Sequence, residues 1–206
     1  MADLSFIQDT GVVNLIDKAY EAARQPLRHL GLSQCGHPCK RWLVYCHQGH
    51  AGEQPGGRVL RLFSLGDAIE TEIINGLRLA GFSLTDQQKE VVFTQDGVAL
   101  RGHIDGLLSG LPESSKPHLF EAKSSNDKRF KELLKLGSYE DWDEKYSFQV
   151  QAYMLGLNLT RAAVFVCNKN TSELYYERIR LRKEETIKKL QSIFETITSP
   201  ELPLGS

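Results

Sequence analysis

Gly102-His103-Ile104-Asp105-Gly106 is followed, sixteen residues after its aspartate, by Glu121-Ala122-Lys123. Each half reads as a short strand, on which side chains two apart share a face. Glu121 and Lys123 therefore point the same way while Ala122 points into the sheet. The intervening Ser109 to Pro117 is Gly, Pro and Ser turn chemistry, which predicts a hairpin folding Asp105 back toward Glu121. Two carboxylates then converge with a lysine beside them. Such oxygen-rich sites suit a hard divalent cation such as Mg2+ or Mn2+, which can bind a phosphate and lower the pKa of a bound water. Leu119, Phe120 and Ala122, with Val98-Ala99-Leu100, mark these strands as central, and ionised groups on central strands need a reason.

Two helices must bring further groups to this spot. From about Leu65 to Leu79, closed by Gly81, the residues Gly66, Ile69, Ile73, Ile74 and Leu77 form an apolar stripe. Glu70 falls within that stripe, so its carboxylate is expected to aim at the Asp105 and Glu121 cluster. From Tyr146 to Leu157, Gln149 and Tyr153 are four apart and project from one face, adjoined by Tyr146. Presented together, a Gln and a Tyr can hydrogen-bond phosphate oxygens or stack on a base.

The remaining pattern supplies a frame. Helical spacing runs from Asn14 to His29. A short helix spans Cys39 to Cys46, and Gly49 to Gly57 is a Gly/Pro loop. Strands are predicted near Glu90 to Thr94, Val98 to Leu107 and His118 to Ser124, then a basic helical stretch from Lys128 to Leu136. Beyond the Tyr146 helix come strands Ala162 to Cys167 and Glu173 to Arg180 and an amphipathic helix Lys183 to Ile197. This order predicts an α/β fold, a mixed sheet flanked by helices. The expected organisation is one domain over 1–206: an N-terminal helical and loop segment 1–60, a core 61–182, and a C-terminal helix and tail 183–206.

Residues of these types in this order resemble the PD-(D/E)XK nuclease superfamily, in particular its RecB-like, phage-exonuclease branch. Gly66-Asp-Ala-Ile-Glu70 looks like that family's helical G-x-x-x-(H/E), Gly102-His-Ile-Asp105 like G-x-x-D, Glu121-Ala-Lys123 like E-x-K, and Gln149-Val-Gln-Ala-Tyr153 like Q-x-x-x-Y. The resemblance spans about Gly66 to Lys169. It implies a restriction-endonuclease-like core of the order αβββαβ, with Glu70, Asp105, Glu121 and the backbone carbonyl of Ala122 as ligands of one or two Mg2+ or Mn2+ ions. It further implies that Lys123 orients or deprotonates the attacking water and that Gln149 and Tyr153 position the strand. His103 would be an outer phosphate contact or a donor to a metal ligand. The implied activity is metal-assisted hydrolysis of DNA, by an exonuclease of recombination, repair or phage-type DNA processing. A structure-specific endonuclease of the same fold is the alternative.

A formal net charge of -1 means that DNA affinity must come from local patches. Lys123, Lys128, Arg129, Lys131 and Lys135, interleaved with Phe130, form one such run, and Arg178, Arg180, Arg182 and Lys183 another. Expected partners are single- or double-stranded DNA ends and a recombination or single-strand-binding protein, with no membrane. The start of the chain reads as neither signal peptide nor anchor, so a cytoplasmic protein is expected.

Of four cysteines, Cys35, Cys39 and Cys46 lie close to His37, His47 and His50 and could hold zinc. Their spacing contains no C-x-x-C, however. Clustered members of the branch carry three late cysteines, whereas Cys167 stands alone, so the resemblance is to a clusterless member without an iron-sulfur centre. A non-catalytic DNA-binding adaptor, or a zinc-organised interaction module, is the reading from another class.

Overall fold

The computed structural model describes residues 11–24, 29–50, 52 and 54–203. Its helices are α1 (Val12–Ala23), α2 (Lys40–His47), α3 (Gly57–Leu79), α4 (Asp127–Leu136), α5 (Tyr139–Trp142), α6 (Glu144–Gly156) and α7 (Lys183–Thr198). Its strands are β1 (Ser83–Thr85), β2 (Glu90–Gln95), β3 (Val98–His103), β4 (Gly106–Ser109), β5 (His118–Ser125), β6 (Arg161–Asn168) and β7 (Leu174–Arg180). The helix expected from Asn14 to His29 is α1, and the part of that expectation at 25–28 lies outside the described residues. None of the described helices is long and apolar enough to cross a membrane.

Five strands make a mixed sheet in the order β1-β4-β5-β6-β7. The β5–β6 pair is parallel, joined by the crossover that carries α4, α5 and α6, and the other pairs are antiparallel. Alternation along β5 and β6 sends side chains to two helical layers. Leu119, Val164 and Val166 join a core with α6 and α7 residues such as Val150, Met154 and Phe194. Phe120, Ala122 and Ala163 join the other with Ile73, Ile74 and Leu77 of α3. The α/β expectation of a mixed sheet between helices therefore holds.

Several elements differ from the sequence reading. Helix α3 begins at Gly57 rather than near Leu65, taking in the end of the expected loop; it does close at Gly81, whose φ is +88°. The strand expected from Val98 to Leu107 is two strands in two sheets. β3 pairs with β2 in a separate ribbon and bridges Gly31 through Arg101, while β4 pairs with β1 and β5. The break falls at Ile104 and Asp105, where the side chain of Ile104 is fully buried and holds the crossing point in the core. Strand β1 and the four-residue helix α5 were not foreseen, both being too short for a periodic pattern to register.

Candidate active site

The strand break creates the site. Gly106 pairs with Phe120, and on the N-terminal side of that point the chain leaves this sheet toward β3, leaving the next backbone amide of β5 without a partner on β4. Asp105, at the point of departure, fills the gap: the Ala122 N–H donates to its Oδ2 at 2.8 Å. The hairpin expected from the Ser109 to Pro117 turn thus brings Asp105 beside Glu121 and Lys123. Gly102 of β3 helps to hold this turn in place, because a Cβ there would lie 2.6 Å from the Tyr153 hydroxyl and 3.0 Å from Leu32. Two of the expected motifs therefore meet directly, with Tyr153 of α6 lying against Gly102.

Glu121 is buried completely on β5. Its Oε1 accepts from the Lys123 ammonium and, at 2.8 Å, from the Gln149 side-chain amide. Its Oε2 is equally buried and has no partner among the described residues. The Lys123 ammonium also lies 5.4 Å above the ring of Tyr146. Glu70 is half-buried on α3 and is coupled by charge to Asp105, Glu121 and Lys123.

These charges press on one another in one direction. Burial, Asp105 and Asp67 push the Glu70 carboxyl up to about 7 against the pull of Lys123. Burial and Asp105 push Glu121 up to about 8, again against Lys123. Asp105 is raised by burial, opposed by Lys123 and the Ala122 N–H. Burial disfavours the Lys123 ammonium, but Glu121, Tyr139 and Asp105 together outweigh it and hold that group well above its ordinary range. Burial is the first cause for each carboxyl, and what would favour their ionised forms is more positive charge in the pocket. A divalent cation would supply it, and the unpartnered Glu121 Oε2 among hard oxygen donors fits such an ion. Among the described residues no three His, Cys, Asp or Glu side chains stand at ready metal-holding spacing. Glu70, Asp105 and Glu121 are coupled but not closed into a ligand set.

Among the described residues the N-terminal cysteines and histidines are not grouped at metal-holding spacing. The Cys35 thiol donates to the Gly31 carbonyl at 3.3 Å and is pushed by burial up to about 12, which disfavours the thiolate a metal needs. Cys39 opens α2, with its N–H on His37 Nδ1 at 3.1 Å, and the His37 ring stacks on Trp42.

The expected DNA-contacting residues divide. Gln149 and Tyr153 are only 6% and 2% exposed, so neither presents its side chain to a nucleic acid strand; Gln149 steadies Glu121, and Tyr153 packs on Gly102. The spacing placed them correctly on one helix face, and that face turns inward. Arg129 is also committed, ion-paired to Glu132 and Asp143 and lying 4.7 Å over Trp142. Lys131 pairs with Asp127, Arg178 with Glu113, and Arg182 with Glu140. His103 and Lys128 are exposed. Tyr139 was missed by the sequence reading. It is fully buried and coupled by charge to Lys123 and Glu121, and no motif marks it.

No family model matches the chain, and no curated protein matches it. Solved structures do. An alkaline exonuclease (LHK-Exo) from Laribacter hongkongensis superposes with a TM-score of 0.55 at 15% identity, over 87% of this chain and 92% of that one. The same exonuclease in complex with dAMP gives 0.56 at 15% identity, over 87% and 92%. The crystal structure of SSO0001 gives 0.51 at 12% identity, over 93% and 89%. At such identities the likeness establishes the fold: a five-stranded mixed sheet flanked by helices, matching the PD-(D/E)XK-like fold of an exonuclease.

Proposed function

We propose that this chain is a divalent-metal-dependent deoxyribonuclease, and an exonuclease in preference to an endonuclease. One observation carries the reading: Glu121, completely buried, offers an unpartnered oxygen beside Asp105 and Glu70, with Lys123 in contact with its other oxygen. A structural role would leave that oxygen hydrogen-bonded. The fold shared with an alkaline exonuclease, solved also with dAMP, supports DNA as the substrate.

In this reading Glu70, Asp105, Glu121 and the carbonyl of Ala122 hold Mg2+ or Mn2+. The ion supplies a Lewis acid for the phosphate and an acidified water. Lys123 steadies the charge that develops on the phosphate and orients the attacking water. Gln149 fixes the Glu121 carboxylate through the hydrogen bond its side-chain amide donates to Oε1, and Tyr153, against Gly102, holds the strand that leads into Asp105. Exposed Lys128 and His103, with exposed Lys135, Arg180 and Lys183, are groups that can meet the nucleic acid.

The test is end-labelled linear duplex, linear single strands and closed circles, incubated with Mg2+ or Mn2+ or with chelator. The expected result is metal-dependent release of nucleotides from linear DNA, sparing of circles, and a loss of on the order of a thousandfold in Lys123→Ala. Nicked circles would establish the endonuclease instead. Intact DNA under every condition would refute the nuclease.

A further inference from the structure

Tyr139 poses a problem that the site as described does not use. It is fully buried in α5, and its hydroxyl has no hydrogen-bond partner among the described residues. Burying a phenol that way is costly, and such atoms are rare in folded proteins. The ring is firmly placed. It stacks on Tyr146 at 6.4 Å with 21° between planes, lies 6.0 Å from Trp142, and its residue's N–H donates to Glu177 at 2.6 Å. The same Tyr146 ring lies 5.4 Å beneath the Lys123 ammonium. An orphan oxygen and the lysine's cation thus share one aromatic wall, and each acts on the charge of the other.

Lys123 is seated on Glu121 Oε1, an oxygen that also accepts from Gln149. Any cation engaging the Glu121 carboxylate weakens that seat, and an ammonium with only 20% of its side chain exposed then needs another acceptor. We infer that the Tyr139 hydroxyl is the second seat of Lys123, accepting a hydrogen bond from Nζ when Glu121 is engaged elsewhere. Tyr139 is then a positioning residue for the hydrolysis, an assignment that rests on the nuclease reading above. It acts through Lys123 and touches neither substrate nor metal.

A stability experiment above pH 8, where the Glu121 carboxyl is ionised, reads the second seat without metal or DNA. Glu121→Gln removes the carboxylate charge while keeping its shape, and Tyr139→Phe keeps the ring stack while deleting the hydroxyl. In the parent, Tyr139→Phe should leave Tm unchanged or raise it, because the lost hydroxyl had no partner. In the Glu121→Gln background the same substitution should lower Tm by about 2–4 °C, the effect of one hydrogen bond in a chain of this size. An equal effect in both backgrounds overturns the second seat. With Mg2+ and labelled linear DNA, Tyr139→Phe should lose about tenfold in kcat with KM unchanged, equivalent to one such bond made only during reaction. A variant with the parent's kcat overturns the positioning role. A parent that leaves DNA intact overturns the nuclease reading and that role together, while the Tm comparison still decides the second seat.

Discussion

Glu121 sits where an ionised carboxylate is least welcome, with one oxygen bonded twice and the other bonded to nothing. Burial disfavours its ionised form. Its pKa rises from the ordinary 4.5 to about 8, as that of Glu70 rises to about 7. Raised carboxyl values mean that the folded state binds protons more tightly than the unfolded one. Their contribution to stability is fully present below pH 4.5 and is lost as pH rises through 7 and 8. In chelator, the Tm of the parent should therefore fall between pH 4.5 and 8, and that of Glu121→Gln should fall less steeply. Mg2+ should stabilise more strongly as the pH rises over the same window, since it binds the ionised forms. If thermal melts of Glu121→Gln lose stability as steeply as the parent, Glu121 is not the group that titrates.

At the scale of elements, the site depends on one strand that changes sheets. Gly102 lets Tyr153 approach the backbone just before the change, and Asp105 caps the amide that the change exposes. Gly102→Ala would press a methyl group into the Tyr153 ring and Leu32, both well packed, at a cost of about 1–3 kcal/mol. Denaturant unfolding checks this, and a variant as stable as the parent would show that the turn has room. The residues that meet here were legible in the sequence because a hairpin and a two-residue period are local properties. The change of sheet was not, since Val98 to Leu107 reads in the sequence as one continuous strand, and what divides it is pairing with β1 and β2 from elsewhere in the chain. The inward turn of Gln149 and Tyr153 was hidden for a related reason. Residues Ser147 to Met154 are buried all round α6, so helical spacing gives a shared face but not its direction.

Over the whole molecule, a formal charge of -1 leaves the proposed DNA binding to a few exposed cations. The basic run on α4 is less available than its composition suggests. Arg129 joins α4 to Trp142 and Asp143, and Lys131 pairs with Asp127, whereas Lys128 is exposed. Titrations of DNA affinity against salt should lose about one unit of log–log slope in Lys128→Ala if it meets a phosphate. Arg129→Ala should keep the slope and lower Tm instead. The opposite pattern would place the DNA path over Arg129. What the gathered carboxylates do together is measured by one rate: nucleotide release from an end-labelled linear duplex in Mg2+ by the parent and by Asp105→Ala. The parent should release nucleotides and the variant should lose at least about a thousandfold in rate; an Asp105→Ala protein that degrades the duplex as fast as the parent would show that these carboxylates do not act together.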